Sequence, residues 1–122
     1  MKIFYLVLLP LMFISNSLIG QSIVINEFMS SNAHSIQDFN GKHEDWIELY
    51  NPGPSSVNLS GYHLSDNSAN ALKWTFPSVN IASGQYLIIF ASGNNKVYSN
   101  GEVHTSFSIG ASGEELILGS TK

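Results

Sequence analysis

The feature that most constrains the fold is a series of short apolar segments separated by turn residues, spaced roughly ten residues apart. These segments are rich in β-branched and aromatic side chains, which predicts strands, and no longer stretch shows the apolar spacing of a helix. Short strands at this spacing are typical of an all-β sandwich or barrel. The predicted strands are residues 22–29, 45–50, 56–59, 62–65, 72–77, 79–81, 86–91 and 114–118.

The aromatic side chains in these segments predict one core. Residues 86–91 form a continuous apolar run, which indicates a central strand buried on both faces. Residues 33–44 are too polar to pack and are expected to form a loop. Aromatic residues at strand spacing belong to the core rather than to a cofactor site. The expected large core residues are Trp46, Trp74, Phe76, Phe90 and Phe107.

Residues 1–20 have the three-part layout of a secretory signal peptide. Lys2 precedes an apolar run over residues 3–14, and small polar residues follow at 15–17. The run is about a dozen residues long, whereas a membrane-spanning helix needs roughly twenty. We therefore predict an exported, extracellular or surface protein with cleavage after Ser17 or Gly20 and no transmembrane span after cleavage. The alternative is an uncleaved N-terminal anchor.

The chain that follows the predicted signal peptide suits one domain, residues 22–122. It contains no cysteine, so this domain must fold without disulfides. Without Lys2 it carries four lysines, no arginine and nine acidic residues, a net charge of −5. Nucleic acids and anionic membranes are recognised by basic clusters, so neither is an expected partner.

Catalysis by this domain is not expected. The sequence has no cysteine nucleophile and no Gly-x-Ser-x-Gly elbow. Catalytic triads assemble in space, so four histidines, three aspartates and many serines leave a Ser-His-Asp arrangement open. We nevertheless predict no enzyme activity and no organic cofactor.

The polar stretch before residue 46 is the one candidate metal site in the sequence. Calcium takes six to eight oxygen ligands, and this stretch supplies carboxylate and amide oxygens. The candidate calcium ligands are Asp38, Asn40, Glu44 and Asp45. Zinc is a second possibility if His34 and His43 converge with carboxylates. The simplest alternative is a solvated acidic loop without any ion.

The strand over residues 45–50 predicts a ligand surface. Successive side chains of a strand point to opposite faces, so Ile47 and Leu49 are expected to face the core. Trp46, Glu48 and Tyr50 then share the other face. Tyrosine and tryptophan are enriched at interfaces, so these three residues are the predicted contact surface. The alternative is that Glu48 simply faces solvent.

Seven segments, in this order, resemble the lamin-tail domain family in its bacterial exported branch, and from first to last they span nearly all of the chain after residue 24. They are residues 25–32 (INEFMSSN), 45–53 (DWIELYNPG), 57–66 (VNLSGYHLSD), 73–77 (KWTFP), 81–87 (IASGQYL), 104–107 (HTSF) and 112–118 (SGEELIL). The combined pattern is specific, although each segment alone is weak.

The resemblance implies an immunoglobulin-like β-sandwich that lacks the family's last strand, and hence a fragment of a longer protein. It also implies a non-catalytic interaction module, the N-terminal domain of a larger secreted or surface protein that contacts protein or a cell-surface polymer. The alternative is an accessory domain of an exported enzyme, of the kinase-like spore-coat type, a nuclease or another hydrolase, with its catalytic part beyond Lys122. The DNA contacts of nuclear lamins are not carried over, because a basic surface is absent.

Overall fold

The protein is all-β, with ten short strands in the residues that its computed structural model describes, 23–111 and 115–120. The predicted signal peptide and both cleavage sites lie outside these residues. One 3-10 helix, Ser68–Asn70, follows β4. The strands are β1 Val24–Met29, β2 Asp45–Tyr50, β3 Val57–Asn58, β4 Tyr62–Ser65, β5 Trp74–Thr75, β6 Asn80–Ile81, β7 Tyr86–Ala91, β8 Lys96–Val97, β9 Val103–His104 and β10 Ile117–Ser120.

The strands form an immunoglobulin-like β-sandwich. The larger sheet has the order β1-β2-β7-β9-β8, and the opposite layer contains a three-stranded sheet, β10-β4-β5, beside the pair β3-β6. The pairing of β7 with β9 is parallel, and the other pairs are antiparallel. Trp74 in β5 donates its indole Nε1–H to Asn95 Oδ1 at 2.9 Å, which ties the two layers together at one edge.

The core lies between the layers and follows the alternation of β2 and β7. Ile47, Leu49 and Ile89 of the larger sheet are fully buried, as is Leu64 of β4. They pack in one cluster with Trp74, Phe76 and Phe107. Side chains alternate along a strand, so the residues between them project from the outer face of the larger sheet. That outer face carries the candidate sites.

Two details of the sequence prediction are wrong. Residues 86–91 are not buried on both faces throughout, because Tyr86 is 55% exposed and only Ile89–Ala91 are fully covered. Trp46 and Phe90 are buried as expected, but on the outer face, outside the cluster between the layers. The prediction also missed β8 and β9, two-residue strands that are too short for a periodic pattern.

A buried asparagine organises the turns at one end of the sandwich. Asn51 has no exposed surface and follows β2 directly. Its Nδ2 donates to the carbonyls of Ser55 and Ile81 at 2.9 and 2.8 Å, and its Oδ1 accepts from the Gly53 amide at 3.0 Å. These bonds join the turn after β2 to β6 and satisfy groups that are otherwise buried without partners.

Candidate functional site

The outer face of the larger sheet has a covered half and an open half. Register places Met29, Trp46, Phe90 and His104 side by side on this face. The β1–β2 loop, residues 30–44, lies over this half, and Trp46, Phe90 and His104 are 6%, 4% and 0% exposed. The open half carries the remaining outward side chains of β1, β2 and β7. The covered half therefore contains buried side chains, whereas the open half presents its side chains to solvent.

The loop is attached to the β8–β9 turn by three contacts. The ring of Phe39 stacks on Tyr98, with centroids 5.3 Å apart. The Phe39 amide donates to Glu102 Oε1 at 2.7 Å, and Asn40 Nδ2 donates to the Tyr98 hydroxyl at 3.1 Å. The loop is thereby held against a turn about sixty residues away in sequence.

Beneath this loop lies a buried histidine. His104 Nδ1 lies 2.7 Å from Ser92 Oγ, and His104 Nε2 lies 3.0 Å from Glu102 Oε1. The ring packs between Phe90, with centroids 5.2 Å apart, and Tyr98, with centroids 4.7 Å apart. Both ring nitrogens are thus engaged, which fixes the orientation of the imidazole.

Two carboxylates lie close to this histidine. Burial by itself raises the pKa of Glu102, but the hydrogen bonds from His104, the Phe39 amide and Asn100 outweigh burial and hold that pKa below its usual value. Asp38 is 6% exposed, and its Oδ1 accepts from the amides of Asn40 and Lys42, both at 2.9 Å. One ligand atom from each of Asp38, Glu102 and His104 lies within 4.8 Å of the other two.

The contacts of Ser92, His104 and Glu102 follow the order of a hydrolase triad, but the nitrogens are exchanged. In the serine hydrolase triad the serine meets Nε2 and the carboxylate meets Nδ1. Here the serine meets Nδ1, and Ser92 Oγ also accepts from the Asn94 amide at 3.2 Å. His104 is fully buried, so a substrate has no access to the ring. This geometry supports a structural role for the three residues.

The predicted calcium ligands are spread over the loop. Asp38 faces β9, whereas Asp45 Oδ1 accepts from the Asn32 amide at 3.2 Å at the start of β2. Asn40 is exposed and reaches Tyr98, and Glu44 contributes its backbone carbonyl to Asn32 Nδ2. In the described part of the chain the three acidic residues of this set do not form a group with ligand atoms within 4.8 Å. The calcium site stays a prediction.

The histidines considered for zinc are exposed and lie apart from that cluster. His43 Nε2 contacts Gln37 Nε2 at 3.2 Å, and His34 lies near the start of the loop. Across residues 23–111 and 115–120, neither histidine belongs to a group of potential metal ligands.

Of the predicted ligand surface, two residues are accessible. Trp46 is buried under the loop, and its indole Nε1 has no hydrogen-bond partner within the described structure. Glu48 and Tyr50 lie on the open half. The ring of Tyr50 stacks on Tyr86 of β7, with centroids 4.6 Å apart and an angle of 27° between the rings. Asn26 Nδ2 donates to Glu48 Oε1 at 2.7 Å and orients that carboxylate.

Tyr86, Glu102 and His104 were not predicted as site residues from the sequence. Glu102 and His104 are two positions apart, a spacing that places side chains on one face of a strand. That signal was present, but residues 100–105 lack the apolar run that marks a strand. Tyr86 was not considered because it lies in residues 86–91, a strand that was expected to be buried on both faces.

A cavity of about 240 Å³ lies at the edge between the layers. It is lined by residues 74–77 and 95–97 together with His104. Pockets for small organic ligands commonly reach about 300–1,000 Å³, so this cavity is below the usual size.

Replacing Phe39 with Ala is expected to loosen the β1–β2 loop. The stack on Tyr98 is lost, and an aromatic pair contributes about 0.5–1.5 kcal/mol beyond area burial. We expect faster proteolytic cleavage within residues 31–44 and a fall of about 1 kcal/mol in the free energy of unfolding. Ile36→Ala, at a 40% exposed position of the same loop, is the control. Equal cleavage of both variants and wild type would contradict the attachment.

Comparison with known proteins gives one match. The family model described as Lamin Tail Domain matches residues 19–122. No curated protein and no solved structure shows significant similarity to the chain. Among the described residues, no helix has both the length and the apolar character needed to cross a membrane. The match covers most of the chain, and the sandwich observed here agrees with it. The chain therefore belongs to the Lamin Tail Domain family.

Proposed function

We propose that this protein is a non-catalytic, exported interaction module, one part of a larger secreted or surface protein, that binds a cationic segment of a protein partner. Export is supported by the signal-peptide layout of residues 1–20. The binding surface is the open half of the outer face. We call it the tyrosine face, and it consists of Val24, Glu27, Glu48, Tyr50, Tyr86 and Ile88.

The observation that carries this proposal is the exposed stack of Tyr50 and Tyr86 beside two carboxylates. Tyr86 is 55% exposed and Val24 is 43% exposed, so the face presents aromatic and apolar area to solvent. Tyrosine combines large contact area with a hydroxyl and is favoured in interfaces. The faces of aromatic rings also attract lysine and arginine side chains.

The charges of the tyrosine face favour a cationic occupant. Glu27 and Glu48 are directly opposite each other in the β1–β2 pair. Like charges at opposed positions destabilise a strand pair, and an approaching lysine or arginine relieves that repulsion. The acidic net charge of the domain strengthens the attraction of a basic segment at low ionic strength.

Titration with a hexa-arginine peptide, followed by amide chemical shifts in NMR, tests this surface. We expect shifts concentrated on β1, β2 and the first half of β7, with affinity that falls as salt rises. Tyr86→Ser is expected to weaken binding about fivefold, because it removes an aromatic contact of about 1 kcal/mol with the cation. Glu48→Gln is expected to weaken binding and to reduce its salt dependence.

Matched controls separate this face from general attraction to an acidic protein. Leu72→Ser changes a side chain that is 60% exposed on a different segment, and Asp66→Asn removes a carboxylate outside the tyrosine face. Neither is expected to alter the affinity more than twofold. Shifts spread over the whole surface, or equal losses in the control variants, would refute the proposal. Binding of a neutral oligosaccharide such as chitohexaose to Tyr50 and Tyr86, without binding of the peptide, would assign the face to carbohydrate instead.

A further inference from the structure

The covered half of the outer face contains a buried carboxylate oxygen without a partner. Asp38 Oδ1 is fully used by two loop amides, but Asp38 Oδ2 is buried and accepts no hydrogen bond within the described structure. A buried carboxylate oxygen left unpaired costs free energy, more than a neutral acceptor does. Asp38 belongs to a cluster in which one ligand atom from each of Asp38, Glu102 and His104 lies within 4.8 Å of the other two. A bound cation would supply the missing partner.

The surroundings of the cluster add to its negative character. Among the described residues, Glu102 pairs with His104 at 3.0 Å, whereas Asp38 has no ion pair. Lys96 lies on the same face of the sheet, but its Nζ is placed over the Tyr98 ring, 4.8 Å from the centroid. Within residues 23–111 and 115–120, no lysine forms an ion pair with Asp38, and two carboxylates share a largely buried space. Such a space favours a divalent cation.

His104 has the environment of a metal-ligating histidine. Metal-bound histidines usually donate their second ring N–H to a neighbouring acceptor, which fixes the tautomer. Ser92 Oγ, 2.7 Å from Nδ1, is placed to accept that bond. The Glu102 carboxylate is an acceptor, so without an ion the tautomer that carries its proton on Nε2 suits this contact. With an ion, the ring proton resides on Nδ1 and Nε2 offers its lone pair beside the two carboxylates.

We propose that Asp38, Glu102 and His104 form a binding site for one zinc-class divalent ion, which fastens the β1–β2 loop to β9. Zinc accepts imidazole nitrogen and carboxylate oxygen together, whereas calcium and magnesium take oxygen ligands. Three protein ligands leave the fourth tetrahedral position to water. The site is distinct from the tyrosine face and does not depend on the proposed function.

Closing the site needs only a small movement. Zinc bonds of 2.0–2.1 Å place tetrahedral ligand atoms roughly 3.4 Å apart. The three ligand atoms lie within 4.8 Å of one another, so Asp38 must approach by at most about 1.4 Å. Glu102 directly precedes β9, and its Oε1 already lies 3.0 Å from His104 Nε2. The ion would thus tighten a contact between a loop and a strand that are 64 residues apart (Asp38 to Glu102).

Isothermal titration of the purified protein with ZnCl₂, paired with thermal unfolding, tests this site. We expect one zinc per chain and a rise in Tm of about 10 °C when free zinc is about 100-fold above the Kd, reversed by EDTA. CaCl₂ is expected to give no comparable rise. The imidazole ¹⁵N shifts of His104 should show Nδ1 protonated and Nε2 bound to the ion.

Asp38→Asn is the most informative variant, because its Oδ1 still accepts from the amides of Asn40 and Lys42. We expect a Kd at least about 100-fold higher, with Tm in EDTA close to wild type. Glu102→Gln provides a second variant with the same expectation for zinc. Asp66→Asn is the carboxylate control, and His43→Gln tests the exposed loop histidine. Unchanged zinc affinity in both ligand variants, loss of binding in His43→Gln, or a Tm rise with calcium but not zinc would each overturn the proposal.

Discussion

Replacing Asn51 with Asp is expected to lower the free energy of unfolding by about 3–5 kcal/mol, one of the two largest effects we predict. The substitution preserves shape and keeps the acceptor for the Gly53 amide. It removes the two N–H groups that serve Ser55 O and Ile81 O, and it places a carboxylate oxygen against those carbonyls. Asn51 is fully buried, so water cannot replace the lost donors. Urea unfolding at neutral pH measures the change.

Two further measurements sharpen the Asn51 prediction. Acidification should reduce the deficit of Asn51→Asp, because a protonated carboxyl regains one donor. Asn94→Asp is the control: Asn94 is exposed, its side-chain amide makes one long hydrogen bond of 3.5 Å to Tyr98, and the change is expected to stay within about 0.5 kcal/mol. A loss below about 1 kcal/mol for Asn51→Asp would show that the turn does not depend on the two donor bonds.

Ile47→Ala is expected to destabilise the protein by about 3–4 kcal/mol. Ile47 is fully buried between the layers and is flanked in register by Phe28 and Ile89. Truncation removes buried methyl and methylene groups and leaves a cavity that close-packed neighbours fill only in part. Chemical denaturation, with the midpoint and slope both recorded, measures the loss.

Glu48→Gln is the control for Ile47→Ala, because the adjacent residue points to the opposite face. Its Oε1 still accepts from Asn26, so the expected change in unfolding free energy is within about 0.5 kcal/mol. The contrast between neighbouring positions tests the alternation of β2 directly. Similar losses for both variants would mean that β2 is not an amphipathic strand with its Ile47 face in the core.

The same alternation explains why much of the fold was predictable. Residues 45–50 and 86–91 contain enough apolar, β-favouring side chains to be identified as strands. Ile47 and Leu49 are buried on the core side as expected, whereas residues 86–91 are fully covered only at Ile89–Ala91. Phe76, Trp74 and Phe107 were expected in the core and lie there. Burial of these apolar side chains away from water contributes strongly to the free energy of folding. The apolar pattern alone therefore predicts which of them lie in the core.

For Trp46, the sequence pattern predicts the face of the sheet but not the burial of the side chain. Its position in β2 predicts the outer face, and the structure places it there. An outward side chain is ordinarily exposed, yet Trp46 is buried, because a polar loop folds over that part of the sheet. The polarity of residues 33–44 indicated a loop but not the surface on which the loop lies. Its attachment depends on Phe39, Tyr98 and Glu102, which are distant in sequence.

The sequence by itself determined an all-β domain without disulfides, the strands with strong apolar alternation, and the acidic charge balance. These properties follow from composition and from the two-residue period of a strand. Only the tertiary structure decided that Asp38 meets Glu102 and His104, and that Tyr50 stacks on Tyr86. Such pairs depend on the order of the strands and on where the loop packs. Alternative arrangements of distant residues differ by small free energies, and a local sequence pattern contains no information about these differences.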